Sequence, residues 1–245
     1  RGGYDFGRDD RTDIQLRNEA LAVARRSDVI IAALGESAEM SGENSGRTDI
    51  SMPDAQADLL KALVATGKPV VLLLFNGRPL ILDWESKNVP AILDVWFGGS
   101  ETGDAVADVV FGDVNPSGKL TDTFAKEFLD YPSADTFNES KDYVDYFEDI
   151  YVGYRYFETV PGASERVVYP FGYGLSYTEF SINRPTASLK DNKIIIKTSV
   201  KNIGNIAGKE VVQCYFSAPQ GLLGKSKISL AGFKKTKLLS PGDTQ

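Results

Sequence analysis

The chain has 245 residues, 42% of them hydrophobic and 25% charged, which suits one large domain or two modest ones in a soluble globular protein. Its net charge of −7 argues against nucleic acid as a partner, which takes clustered Lys and Arg, and its longest apolar run, Pro69 to Phe75, is too short to span a membrane. With no histidine and a single cysteine, Cys214, Ser-His-Asp and Cys-His catalysis, His-based metal sites and an intrachain disulfide are all excluded, so any chemistry falls to carboxylates, Tyr, Lys, Ser or Thr.

The opening stretch "RGGYDFGRDDRTD" is charged and lacks a starting methionine, and reads as a mature, processed or truncated terminus. A helical pattern, "DIQLRNEALAVARRSD", precedes a purely apolar strand from Val29 to Leu34. From Ala55, Leu59, Leu60, Leu63 and Val64 recur at helical spacing, with Pro53 and Asp54 in the first turn and Gly67 and Pro69 as the stop. "PVVLLLF", an "NGRPL" turn, a short helix through Asp83 and Trp84, the strand "AILDVWF" and a helix from Ser100 to about Phe111 follow. Apolar strands separated by helices predict an α/β domain with a mostly parallel sheet flanked by helices on both faces. Such sheets bind ligands beyond the carboxyl ends of their strands.

Residues 126–178, dense in Tyr, Phe and Gly, read as a connecting segment packing on the α/β domain of residues 1–125. A sugar-stacking platform is the alternative. After Phe180 the period switches to two. "KIIIKTSVKN" alternates as one strand, "EVVQCYF" puts Val212, Cys214 and Phe216 on one side, and "SLAGFKKTKLLSPGDTQ" adds a strand pair. Residues 179–245 therefore read as an all-β sandwich that stops early, at about four or five strands where about seven are usual. Cys214 is expected to be a buried thiol.

Between the first strand and the second helix lies "AALGESAEMSGENSGRTDISMP", Ala32 to Pro53, with Glu36, Glu39 and Glu43 at the carboxyl edge of the sheet. It contains no G-x-G-x-x-G or G-K-[ST], and three carboxylates repel a phosphate. Its spacing matches no EF-hand, so neither a metal nor any other cofactor is expected. A solvated acidic surface and a carboxylate acting as acid or base both remain open on chemistry alone.

Five blocks resemble glycoside hydrolase family 3, specifically its bacterial β-glucosidases: "SDVIIAALGESAEMSGENSGRTDISMPDAQADLL", "GKPVVLLLFNGRPL", "AILDVWFGGSETGDAVADVVFGDVNPSGKL", "VGYRYFE" and "YPFGYGLSYTEF". The resemblance implies the family's α/β-sandwich domain followed by a fibronectin type III-like domain, here truncated. It also implies a retaining, exo-acting hydrolase of terminal β-linked oligosaccharides or aryl glycosides. In such an enzyme an aspartate nucleophile comes from an N-terminal (β/α)8 barrel and a glutamate acid/base from an "E-G-x-D-R-x-x-L-x-L-P"-like loop. "ENSGRTDISMP" matches that motif from Glu43 through Arg47, Ile50 and Met52 to Pro53, with Asn44 in place of Gly and Gly46 in place of Asp. Glu43 is thus the implied acid/base, with Glu36 and Glu39 as fallbacks. Met40 is a candidate for the aglycone side or a packed thioether, and Arg47 for a sugar ligand or a loop-ordering ion pair.

A barrel takes roughly 250 residues, the length of this chain, so the nucleophile is expected elsewhere in a longer protein and the isolated chain is expected to be inactive. The first strands of the α/β domain and the end of the fibronectin-like domain are likewise expected to be missing. The resemblance also implies a periplasmic or secreted protein. The rival reading is a non-catalytic carbohydrate-binding or interaction module.

Overall fold

A computed structural model describes residues 10–245; the first part of the expected processed terminus, Arg1 to Asp9, lies outside the described residues. The chain divides into two compact units. One holds residues up to Thr102 together with Thr123–Tyr169, the other Gly103–Asp122 together with Pro170–Gln245.

In the first unit, helix α1 (Asp13–Arg26) opens on a capping box. The Thr12 hydroxyl accepts from the Gln15 backbone N–H, and the Gln15 side chain accepts from the Thr12 N–H at 2.8 Å. Both interactions satisfy donors that a helix start leaves orphaned. Strand β1 (Ile30–Gly35), helix α2 (Asp54–Val64), strand β2 (Val70–Phe75), helix α3 (Asp83–Asn88) and strand β3 (Ala91–Asp94) follow in order. The strands form a parallel sheet in the order β1-β2-β3, with β1 and β2 in register from Ile30 against Val70 to Gly35 against Phe75. Each parallel pairing needs a crossover, and α2 and α3 occupy those crossovers.

The central strand is the most buried: Val70, Leu72 and Leu74 of β2 lie in the core, as do Leu60 and Leu63 of α2 and Leu80 and Leu82 beyond the strand. Each such side chain is worth about 1.5–3 kcal/mol removed from water. The expected two-sided burial does not extend to β1. That edge strand alternates buried Ile30 and Ala32 with exposed Ile31 and Ala33, the pattern of a half-covered strand. Strand β3 stops at Asp94, because Trp96 adopts φ 54° and turns the chain out of the extended region.

The aromatic-rich segment builds a small core of its own. Strand β4 (Phe124–Ala125) pairs antiparallel with β5 (Val167–Tyr169), and helix α5 (Tyr154–Thr159) lies between them in sequence. Ala125, Phe157 and Ala163 are buried, with Tyr131, Tyr156, Val160 and Val167 packed against them. The Tyr131 hydroxyl locks this core by donating to Thr123 O and accepting from Ala125 N, both at 3.0 Å. Tyr143, Tyr146 and Phe147, in contrast, are exposed.

The second unit contains most of helix α4 (Thr102–Phe111), which begins two residues beyond Ser100, and antiparallel strands. Strand β6 (Phe180–Ile182) pairs with β9 (Val200–Asn202), β7 (Thr186–Lys190) with β8 (Lys193–Lys197), and β10 (Val211–Phe216) with β11 (Ser229–Lys235). The β7–β8 turn carries Asp191 and Asn192 at φ 50° and 57°, the left-handed pair that a two-residue hairpin turn demands.

Three expectations are corrected in this unit. The single alternating strand over "KIIIKTSVKN" is split into β8 and β9, because Thr198 donates its hydroxyl to Asn183 O and Ser199 accepts from the Asn183 amide, local bonds that compete with a continuous ladder. Cys214 is half-buried rather than buried, since a register shift between Cys214 and Tyr215 breaks the alternation. The expected last strand pair is one strand, β11, after which Leu239 and Thr244 make isolated bridges to Gly208 and Lys201. Buried Asn202 holds the β9 corner: it accepts from Thr178 Oγ1 and Gly204 N and donates to Ile206 O and Leu239 O, all within 3.1 Å.

Among the described residues no helix is long and apolar enough to cross a membrane. No group of three or more His, Cys, Asp or Glu side chains among them is placed to hold a metal ion.

Candidate functional site

The acidic loop leaves β1 through Gly35, a position only glycine can fill. Its φ is 138°, and a Cβ there would sit 1.9 Å from Phe75 O. The Gln56 side chain on α2 accepts from Gly35 N at 2.6 Å and donates to Gly35 O at 3.0 Å. The strand end is thereby fixed, and with it the direction in which Glu36 departs.

Glu36 is the buried anion of the site. Its side chain is fully removed from solvent, and its Oε1 lies 3.0 Å from both Arg47 Nη1 and Arg78 Nε. Its Oε2 accepts from Gly77 N at 3.1 Å. A carboxylate so paired and hydrogen-bonded is tolerated in the interior, whereas an unpaired one is not. Arg47 is committed to this ion pair.

Arg78 does more than neutralise Glu36. Its Nη2 donates to Met40 O at 2.7 Å and to Ser45 O at 2.9 Å, so the same guanidinium bridges two carbonyls on either side of Glu43. The loop also lies close over Gly77, where a Cβ would meet Ser41 Oγ at 1.9 Å and Phe97 Cε2 at 2.8 Å. Beyond the loop, Ile50 and Met52 are buried, and Ile50 O accepts from Ile81 N at 3.0 Å. The Asp49 carboxyl is held below the usual carboxylate range, first by the Ser51 backbone N–H, then by the Ser51 side chain and Arg47.

Glu43 stands at the tip. Ser45 N bonds Gly42 O at 3.1 Å, closing a four-residue turn with Glu43 second and Asn44 third. Asn44 has φ 58°, a positive φ of the kind that Asn tolerates best after Gly. Glu43 and Glu39 are both exposed, and the Met40 side chain is half-buried.

A second carboxylate lies at the same edge of the sheet, at the end of β3. Burial pushes the Asp94 carboxyl up to about 6. The Trp96 backbone N–H and the Asn76 side chain lower it only in part, since neither makes a well-aligned hydrogen bond to the Asp94 oxygens. Asn76 is wholly buried and spends its amide N–H on Arg78 O at 2.9 Å.

The structure thus brings Glu36 and Arg47 together and leaves Glu39 and Glu43 in solvent. Sequence reasoning missed Gln56, Arg78 and Asp94. A signal for Arg78 and Asp94 was available: each lies at or just past the carboxyl end of a strand, β2 or β3, of the same parallel sheet as β1, the edge where such sheets collect functional groups.

Residues 11–177 match the family described as "Glycosyl hydrolase family 3 C-terminal domain". The chain is 46% identical over 215 residues to a β-glucosidase A of Butyrivibrio fibrisolvens, covering 80% of this chain and 26% of that protein. It is 40% identical over 240 residues to a periplasmic β-glucosidase of Salmonella typhimurium, covering 96% of this chain and 31% of that one. A crystal structure of a β-glucosidase from Kluyveromyces marxianus in complex with glucose superposes with a TM-score of 0.90 at 34% identity, covering 97% of this chain and 28% of the other. The chain spans less than a third of the length of each of these relatives. It belongs to glycosyl hydrolase family 3, in the C-terminal portion of that family's proteins.

Proposed function

We propose that this chain supplies the general acid/base of a retaining, exo-acting β-glycosidase, and that Glu43 is that residue. The nucleophilic aspartate belongs to an N-terminal (β/α)8 barrel of the same protein. In the first step Glu43 protonates the departing glycosidic oxygen while the aspartate forms the glycosyl-enzyme bond. In the second, the Glu43 carboxylate takes a proton from the water that breaks that bond. The two carboxyl groups then stand about 5–5.5 Å apart.

The observation that carries this reading is the division between the glutamates. Glu36 is buried and bound to two arginines, so it has no access to a substrate. Glu43 is exposed on a tight turn inside the segment that Arg78 closes. Glu39 lies outside that segment. Similarity to β-glucosidases supports a terminal β-linked oligosaccharide or aryl glycoside as the substrate. The likeness to a periplasmic relative supports a periplasmic or secreted location. The antiparallel strands after Phe180 are read as a fibronectin type III-like domain with a scaffold role. Without the barrel the chain has no nucleophile and does not hydrolyse glycosides on its own.

The test uses the protein carrying both this chain and the barrel, with Glu43→Ala, assayed on aryl β-glucosides with and without azide. Activity on poor leaving groups is expected to fall by about 10²–10⁴-fold, with azide restoring turnover on activated substrates as a glycosyl azide. Near-normal activity would move the assignment to Glu39. The exposed Tyr143, Tyr146 and Phe147 favour one second reading, a non-catalytic sugar-binding module, which measurable binding of a β-glucan oligosaccharide to the isolated chain would support.

A further inference from the structure

We infer that Arg78 is a positioning residue for the acid/base, setting the turn that presents Glu43; the inference rests on the acid/base reading proposed above. The loop from Glu36 to Ile50 contains no helix or strand, and an unsupported loop of that length samples many conformations. A catalytic carboxyl has to be held in reach of one oxygen atom, because misplacement by about 1 Å costs about 10²-fold in rate. Something must therefore fix the turn from Gly42 to Ser45.

The bond that closes that turn, Ser45 N to Gly42 O at 3.1 Å, fixes its shape but not its place. Its place is set from outside. Arg78 Nη2 reaches Met40 O at 2.7 Å and Ser45 O at 2.9 Å, while Nε stands 3.0 Å from Glu36 Oε1. One planar cation thus joins the root of the loop to both shoulders of its tip. Arg78 is itself fixed at the end of β2: its carbonyl accepts from the buried Asn76 amide at 2.9 Å, and Glu36 Oε2 accepts from the adjoining Gly77 N at 3.1 Å. Arg47 adds a second cation to Glu36 from the far side of the loop, 3.0 Å from Glu36 Oε1. A lysine in place of Arg78 retains a charge beside Glu36 but lacks the planar guanidinium that faces Glu36 through Nε while Nη2 bonds Met40 O and Ser45 O.

The experiment pairs Arg78→Lys with Glu43→Ala. In the 245-residue chain, hydrogen–deuterium exchange is followed for peptides covering residues 37–47 and 70–75. Arg78→Lys is expected to speed exchange in the loop by about tenfold or more while leaving β2 unchanged. In the protein carrying the barrel, kcat/KM is compared on a dinitrophenyl β-glucoside, which departs without a proton, and an alkyl β-glucoside, which needs one. Arg78→Lys is expected to lower the alkyl value about tenfold more than the dinitrophenyl value, with the loss in kcat rather than KM.

Loop exchange that stays at the wild-type rate, or an equal loss on both substrates, would overturn the inference. Should Glu43→Ala show no leaving-group dependence, the acid/base assignment falls, and the exchange data alone decide whether Arg78 holds the loop. If Arg78→Lys does not fold, Arg78→Gln replaces it, since Glu36 keeps the Arg47 guanidinium at 3.0 Å and is not left as an unpaired buried carboxylate. The same two readouts apply.

Discussion

Replacing Asp94 by Asn is expected to stabilise the unit built on the parallel sheet, by an amount that depends on pH. Asp94 ends β3, and burial raises its carboxyl from 3.8 to about 6. Between those values the folded protein keeps a proton that the unfolded chain has released. Stability therefore falls as pH rises from about 4 to about 6 and is flat above that window. The separation of about two pH units corresponds to about 3 kcal/mol if fully felt. Asp94 is only partly buried, so solvent screening reduces the expectation to about 1–2 kcal/mol. Asn keeps the shape of the side chain without its charge, and Asn76 Oδ1, buried and without a hydrogen-bond partner, gains a potential donor beside it. The assay is urea denaturation followed by tryptophan fluorescence. Both tryptophans, Trp84 and Trp96, lie in this unit, so the transition it reports belongs to the sheet that Asp94 ends. The variant is expected to be more stable than wild type by about 1–2 kcal/mol at pH 7.5 and nearly indistinguishable at pH 4. A gain of the same size at both pH values, or no gain at pH 7.5, would refute the claim that an ionised, under-solvated carboxylate is the cause.

Gly35→Ala is expected to cost about 4 kcal/mol or more, because its Cβ would lie 1.9 Å from Phe75 O at φ 138°; fluorescence-monitored unfolding reads the loss, and a cost below about 1 kcal/mol would mean the β1–β2 register adjusts freely. Asn202→Ala removes a fully buried amide with four partners and is expected to cost about 3 kcal/mol, measured by urea titration of the far-ultraviolet circular dichroism signal. A much smaller cost would mean that water enters and takes over those bonds.

The parallel part of the fold was legible because its signals are local. Apolar runs bounded by Pro, Gly and charged residues place β1 and β2 within a residue or two, and the helical pattern opening at Asp13 coincides with the start of α1. The β-rich part was less legible. Ile194, Ile195 and Ile196 look like the middle of a buried strand, yet Ile194 is 73% exposed on a two-stranded hairpin. Alternation specifies a strand but not whether a second layer covers it. The turn at Asp191 and Asn192 and the break at Thr198 are set by backbone φ and by side-chain bonds to Asn183, and neither has a periodicity to betray it.

The candidate site divides along the same line. Glu36, Glu39 and Glu43 stand out as carboxylates on a loop after a strand, but their unlike surroundings depend on a residue 42 positions beyond Glu36, Arg78, brought beside them by in-register pairing of β1 with β2. A buried carboxylate between two guanidinium groups has its oxygens committed to them, which makes Glu36 a good anchor and leaves it no access to a substrate. A carboxyl that must both give and take a proton needs the opposite: an accessible place with its charge uncommitted. On the acid/base reading proposed above, the loop meets both demands by separating them over seven residues, holding Glu36 in the ion-pair cluster while Glu43 stands exposed on the turn from Gly42 to Ser45. On that argument, exchanging the two roles by point mutation is unavailable to this loop. Removing Glu36 would leave Arg47 and Arg78 uncompensated at its root, and the proposed reading expects the barrel-bearing protein to lose activity along with the order of the segment that carries Glu43.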